Sequence, residues 1–494
     1  MNRKVFHNMI AYEIYPTSFY DSDHDGIGDL NGIRKKLDHI KEMGFNTIWL
    51  NPFYVSPFKD GGYDVKDFFD VDPKFGTLKD FEKLITKAHQ MDLKIIIDLV
   101  AGHSSYENPD FLKSASAQKN EYSDLFIWND NPWQKGPNLI SGMFDRHGCY
   151  MVNFFAHQPA FNYGFNRIDE PDWQMSYKDP RTFQAREYLL KVMRFWLGKG
   201  ADGFRVDMAD SLVKNDDDKS ATIEVWKYLF KKIRKEYPKA FFVSEWSDPG
   251  RSFEAGFDAD FVLDHWDNFY HRFFRSDASS RGTSIIHGGN DVAFALEDLK
   301  DRFAKAKDHK ANLSLISGNH DSKRIADHLN DKELRVFYLF LFTMPGIPFL
   351  LYGDELGMRS PELPGKDGGY QRTGTRIPMI WNDREPYHGF SDHEPYLPFS
   401  DLNTVSLVKA KKDEDSLYHF ICRLTKLRTR INDLKDPDLE VDEKNRVFRF
   451  KRGRYELILN LSEKDCEFKG EAIISTSGID TRLPAGEAML VKKG

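Results

Sequence analysis

Short apolar runs alternate with amphipathic stretches along this chain. The run at 10–15 reads as a strand; Leu30, Ile33, Leu37, Ile40 and Met43 then fall at helical spacing, with Gly44 following as a stop. Residues 47–50 read as the second strand. Thr77 and Asp80 stand at capping-box spacing ahead of Leu78, Phe81, Leu84, Ile85 and Ala88. That helix leads into 93–100, an apolar run long enough for a strand buried on both faces. The unit recurs at 203–206, 241–244, 261–263, 313–316 and 347–351. Eight strands alternating with helices predict an α/β fold with a parallel sheet, and a (β/α)8 barrel accommodates them.

Two long interruptions break the rhythm, at about 104–166 and about 353–403, and both follow a strand's C-terminal end, where barrel enzymes carry their binding loops. The first is rich in Asn, Tyr, Phe and Trp; the second holds many Gly and Pro. A last helix near 417–430 precedes short alternating segments such as VFRFKRGRYELILNL, which read as an antiparallel β domain.

Composition narrows the function classes. The chain has 494 residues, 40% hydrophobic and 30% charged, with a net charge of -7, which suits a soluble protein and disfavours nucleic acid as a partner. Its three cysteines, Cys149, Cys422 and Cys466, are widely spaced and fit neither a disulfide framework nor a zinc site, so a reducing, cytoplasmic setting is expected. No segment reaches the roughly 20 apolar residues that span a bilayer, and no membrane partner is expected. A monomer or weak homo-oligomer is the expected state.

Charged residues stand directly after several strands: IIIDLVAGH ends on His103, GFRVD on Asp207, FFVSE on Glu245, and LISGNHD on His320 and Asp321. Clustering three carboxylates, two histidines and Arg205 at one end of a barrel is costly without a purpose, so together they argue for an active site.

These segments, in this order, resemble the signature regions of glycoside hydrolase family 13, the α-amylase family: DLVAGHSS, GFRVDMAD, VSEW and SGNHD, with QPAFN (158–162) as the additional region. The resemblance implies a barrel of residues 1–103 and 167–431, an inserted domain of 104–166 after the third strand, and a C-terminal antiparallel β-sandwich of 432–494. It also implies Asp207 as nucleophile, Glu245 as acid/base and Asp321 as the third catalytic carboxylate, with His103 and His320 donating to the same sugar ring. A retaining mechanism uses two carboxyl groups roughly 5 Å apart. Arg205, two residues before Asp207 on one strand face, is expected to keep Asp207 ionised. Glu245 must hold a proton, so less positive charge and more apolar surface, such as Trp246, are expected beside it.

KDGGYDV, with Asp60 and Tyr63, and TRIPMIW, with Arg376, resemble segments of the oligo-1,6-glucosidase and α-glucosidase branch. There the matching Asp and Arg hold the substrate's non-reducing end and close the pocket, and the Tyr stacks on the sugar. Exo-acting hydrolysis of short oligosaccharides is therefore expected. Family transglycosylases and isomerases of trehalose, sucrose or isomaltulose chemistry, and endo-acting α-amylases, keep the same catalytic residues and stay open as alternatives. Non-catalytic relatives that serve as transporter scaffolds carry a membrane segment and have lost catalytic carboxylates, unlike this chain.

Asp21, Asp23, Asp25, the Ile27 carbonyl and Asp29 follow the first nine positions of an EF-hand loop, with Gly26 at the turn, though position twelve is Gly32 rather than Glu. The branch carries a structural calcium at this place, so Ca²⁺ or Mg²⁺ is expected, in a stabilising role. Gly102 stands where many α-amylases have a calcium-binding Asn, and a second calcium is not expected. Met208 after the nucleophile matches neither linkage group well; α-1,4 is favoured over α-1,6 without being decided.

Overall fold

The computed structural model describes residues 6–134, 136–263, 267–275, 282–368, 372–399, 404–435, 438–478 and 481–494. Eight strands close into a barrel: β1 (Ala11–Ile14), β2 (Thr47–Leu50), β3 (Lys94–Val100), β4 (Gly203–Asp207), β5 (Phe241–Ser244), β6 (Ala259–Val262), β7 (Asn312–Ile316) and β8 (Ile347–Leu351). They follow chain order around the ring, β8 returns to β1, and neighbours run parallel. Apart from Lys94, every strand residue is buried, as expected when helices cover the outside and side chains fill the lumen. The strand period of two sorts them. Ala11, Trp49, Ile96, Phe241, Val243, Phe261 and Phe349 form the inner cluster, while Tyr12, Ile14, Ile48, Phe242 and Leu350 join the larger core under the helices.

Two expectations shift in detail. The helix read over Leu30 to Met43 is two helices, α1 (Leu30–Lys35) and α2 (Leu37–Glu42), because the backbone pinches at Lys36 (φ -105, ψ 7). The apolar stripe survives the pinch, since Leu30, Ile33, Leu37 and Ile40 are all buried. Gly44, at φ +88, ends the pair as expected. The sixth strand begins two residues before the apolar run that marked it, because the buried Asp260 looks like a loop residue in sequence but accepts from the Ser244 hydroxyl at 2.7 Å. Thr77 and Asp80 form the predicted capping box on α3 (Leu78–Gln90).

Between β3 and β4 the chain builds a small three-stranded sheet from Trp128–Asn129, Leu139–Ser141 and Cys149–Met151. After α4 (Leu417–Arg430), β9 (Glu440–Lys444), β10 (Val447–Arg452), β11 (Tyr455–Asn460), β12 (Glu471–Ser475) and β13 (Glu487–Lys492) make a separate antiparallel sheet, the predicted C-terminal β domain. Of the second long loop, residues 369–371 and 400–403 lie outside the described residues. Among the described residues no helix is long and apolar enough to cross a membrane.

Candidate active site

The functional side chains gather at the C-terminal ends of the barrel strands, each fixed by a strand that ends there. Asp207 closes β4, Glu245 follows β5, and Glu245 N–H donates to the Val206 carbonyl at 3.0 Å, which levels the two acids. Met208, directly after Asp207, adopts φ +41 and turns the chain so that its N–H donates to Glu245 Oε2 at 3.0 Å. A non-glycine residue in that region costs on the order of 1–3 kcal/mol and persists where surrounding structure imposes it.

Arg205 centres one half of the site. Its Nη1 lies 2.6 Å from Asp98 Oδ1 and 2.9 Å from Asp207 Oδ1, and its Nη2 lies 2.6 Å from Glu245 Oε1. The guanidinium also sits 5.2 Å over the Trp49 ring and 5.6 Å over the Tyr63 ring. Three carboxylates therefore share one cation, which changes two expectations. Glu245 does not sit in apolar surroundings; it is ion-paired to the same arginine as Asp207. Nor does Arg205 leave Asp207 an ordinary carboxylate. Burial pushes Asp207 well above the usual range, Arg205 opposes the rise, and the charges of Glu245 and Asp98 add to it. A single guanidinium cannot offset three carboxylates in a buried site. Asp98, fully buried, is also raised by burial against the pull of Arg205.

The other half is rich in cations. Arg376 Nη2 lies 2.8 Å and Arg372 Nη1 3.3 Å from Asp321 Oδ1, and His320 Nε2 lies 3.3 Å from Asp321 Oδ2. Although burial alone would raise it, His320, Arg372 and Arg376 hold Asp321 well below the usual carboxylate range. Asp60 joins the same network through an ion pair with Arg372 at 3.1 Å. Arg376, fully buried, is instead committed to Asp321 and to the His320 carbonyl at 2.9 Å. Gly61 explains how Arg376 reaches that place: at φ +56, a Cβ there would lie 2.5 Å from Arg376 Nη1. Gln158, in the QPAFN segment, donates to Asp60 Oδ2 at 2.7 Å.

Three further residues expected at the sugar also make contacts within the protein. Tyr63 is buried and stacks on His320 at 5.2 Å with rings 6° apart, its hydroxyl 3.2 Å from Asp98 Oδ2, so one ring face is occupied by protein. His103 is engaged at both nitrogens, Nε2 with the Tyr63 carbonyl at 3.2 Å and Nδ1 with the Asn153 amide at 3.3 Å. Burial, with Lys214 and His157 adding to it, drives its pKa down to about 3, so it is a neutral strut rather than a free donor. His320 Nδ1 faces Glu13 at 2.9 Å. Beside His103, the side chain that Gly102 lacks would meet the Asn153 amide at 2.6 Å; Lys214 Nζ lies 2.6 Å from Asn153 Oδ1 and 2.7 Å from the Ser211 carbonyl.

The loop after β1 brings ligand oxygens of Asp21, Asp23 and Asp29 within 4.8 Å of one another. Asp25 turns aside to accept from the Ile27 N–H at 2.8 Å. Asp23 is pushed up to about 6 by partial burial and by the charges of Asp25, Asp29 and Asp21. A divalent cation would relieve that repulsion, so the donor set fits a hard, oxygen-ligated ion.

The residues missed in the sequence are Glu13, Asn51, Asp98 and Arg372. Asp98 opens the first signature segment and Arg372 lies four residues before Arg376, so both stood beside recognised motifs. Glu13 and Asn51 carried a weaker signal, a polar residue within or just past an apolar strand.

The alpha-amylase catalytic-domain family model matches residues 13–436. Alpha-amylase 3 of Dictyoglomus thermophilum is 31% identical over 456 residues, covering 89% of this chain and 80% of that protein. The oligo-1,6-glucosidase of Parageobacillus thermoglucosidasius is 28% identical, covering 95% and 92%. The structure of a trehalulose synthase mutant superposes with a TM-score of 0.81 at 22% identity, covering 99% of each chain.

Proposed function

The chain belongs to the α-amylase family of glycoside hydrolases, and we propose that it is a retaining, exo-acting hydrolase of α-glucosidic bonds in short oligosaccharides. The observation that carries the reading is Arg205, whose two terminal nitrogens hold Asp207 and Glu245 at 2.9 and 2.6 Å. One guanidinium spanning both groups fits the short separation, roughly 5 Å, of a retaining pair. Burial raises Asp207 well above the usual carboxylate range, and because Glu245 shares its cation, Arg205 offsets that rise only in part. When a glycosidic oxygen lies over Glu245, the proton belongs on Glu245 and the charge on Asp207 beside Arg205 Nη1. Asp207 attacks the anomeric carbon as Glu245 protonates the departing oxygen. Glu245 then takes a proton from water, which attacks from the face the departing oxygen left and displaces the Asp207 carboxylate, so two inversions return the α anomer.

Exo action rests on the Asp60, Arg372, Asp321 and Arg376 network. Its charged groups are largely paired with one another, and a terminal sugar can hydrogen-bond to them through its hydroxyls. A glucan chain continuing through the same place would separate buried ion pairs without replacing them. The Asp21, Asp23 and Asp29 carboxylates would hold Ca²⁺ or Mg²⁺ as a fold-stabilising ion outside the reacting groups. Three cysteines without disulfide partners favour the cytoplasm.

The test is a time course on maltotriose, isomaltose, panose, sucrose, trehalose and soluble starch, with anomer-resolved NMR. The reading expects glucose released first as the α anomer, activity falling with chain length, and starch viscosity persisting. First release of β-glucose would refute retention. Rapid loss of viscosity with long dextrins would refute exo action, and rearranged disaccharides exceeding glucose would place the enzyme among the isomerases.

A further inference from the structure

Glu13 is a fully buried carboxylate in the wall of the barrel and takes no direct part in the chemistry above. It lies at an inward position of β1, in register with Trp49 of β2, where neighbouring strands contribute aromatic or aliphatic side chains. Burying an unpaired carboxylate there would cost several kcal/mol. Its partner is His320: Glu13 Oε1 lies 2.9 Å from Nδ1. On the other side of the same ring, Nε2 lies 3.3 Å from Asp321 Oδ2 but is misaligned for a hydrogen bond, and this fully buried nitrogen has no other hydrogen-bond partner.

We propose that Glu13 is a positioning residue: through Nδ1 it keeps the His320 imidazole doubly protonated, so that an uncommitted Nε2–H faces the sugar pocket beside Asp321. A neutral imidazole would have a single proton, and with a carboxylate at Nδ1 that proton would be drawn there, leaving Nε2 a bare acceptor facing another carboxylate. Only the charged ring gives both carboxylates a favourable partner and still offers a donor to a substrate hydroxyl.

Tyr63 and Tyr15 stack on the ring at 5.2 and 6.3 Å and Trp49 meets it edge-on at 6.1 Å, adding no charge. The Asn51 amide lies 3.0 Å from Nδ1, and a protonated Nδ1 requires its oxygen, which has no other hydrogen-bond partner, to face the ring in place of its NH2 group. Of the remaining charged neighbours, Arg376 donates to the His320 carbonyl rather than facing the ring, and Asp98 favours the imidazolium from β3; burial raises the Glu13 carboxyl, and His320, Asn51 and Arg205 draw it back down. Burial by itself would lower the imidazole pKa, yet Asp321 and Glu13 together carry it up to about 9.

The proposal rests on the hydrolase reading for its purpose but not for its test, which is made on the resting enzyme without substrate. Uniformly ¹⁵N-histidine-labelled protein is titrated by NMR, with His320→Gln assigning the resonance. His320 should carry protons on both nitrogens at pH 7.5 and lose one near pH 9. In Glu13→Gln that titration should move down by at least about one pH unit, and the alkaline limb of kcat/KM should move with it, lowering kcat/KM at pH 8 by roughly tenfold. A His320 that titrates at or below about 6.5 in the unaltered enzyme overturns the proposal, even if Glu13→Gln fails to fold. So does a high value that Glu13→Gln leaves in place, which would credit Asp321 alone. A high value that does fall in Glu13→Gln, in an enzyme that fails to cleave α-glucosides, would contradict the hydrolase reading and leave this proposal standing.

Discussion

The two halves of the pocket hold their carboxylates in opposite ways. Around Arg205, three carboxylates converge on one cation, and Asp207 is driven above the usual range by burial, opposed by Arg205 and reinforced by its neighbours. Around Asp321, two arginines and His320 converge on one carboxylate and hold it well below that range despite burial. A crowded acid pair is suited to moving a proton, whereas an over-compensated carboxylate stays charged and can grip hydroxyls throughout the reaction. Under the proposed function, the first half does the chemistry and the second holds the sugar.

The largest effect should come from the proton-handling half. Asp207→Asn and Glu245→Gln should each leave a folded protein with turnover lower by at least about 10³-fold, measured in steady-state assays. Near-normal turnover in either variant would dissolve the distinction. In the gripping half, Arg376→Ala should lower kcat/KM by an amount on the order of 2–4 kcal/mol, because it removes a buried charged contact to the terminal sugar's support.

Stability should separate the halves by sign. A carboxyl held above its unfolded value of about 3.9 costs stability as pH rises from there through its folded value; one held below contributes stability that is present above about 3.9 and is lost as pH falls through its folded value. At pH 7, Asp207→Asn should therefore raise the melting temperature by a few degrees. Asp321→Asn should lower it, since Arg376 loses its carboxylate partner, a change of about 3 kcal/mol for a broken buried pair. Calorimetry giving the same sign for both variants would contradict the account. The smallest effect should come from outside the pocket: chelation should lower the melting temperature by a few degrees while initial rates at moderate temperature hold, through loss of a cation bound by the Asp21, Asp23 and Asp29 carboxylates.

The barrel was legible because it is written locally. Apolar runs mark buried strands, and only β6, which begins at Ala259 and carries the polar yet buried Asp260, was misplaced. Asp207, Glu245 and Asp321 were legible because each lies in a continuous segment at a strand end. Their environments were not. Glu13 and His320 are 307 residues apart, and nothing local says that an acidic residue in AYEIYP will meet a histidine in SGNHD. Likewise, the choice of Arg372 over Arg376 as partner of Asp60 depends on the path of a long Gly-rich loop and on the space left by Gly61. Charge balance in a buried site is a sum over partners from many strands, so the sequence identifies the members and the fold decides how they share their cations.

Covalent bonding of Asp207 to the sugar is open to direct trapping. A 5-fluoro-α-glucosyl fluoride slows turnover of the glycosyl-enzyme, and intact-protein and peptide mass spectrometry then locate the added sugar. One glycosyl adduct is expected, on the peptide containing Asp207 and absent in Asp207→Asn. An adduct on another carboxylate, or no adduct from an enzyme that releases β-glucose first, would contradict it.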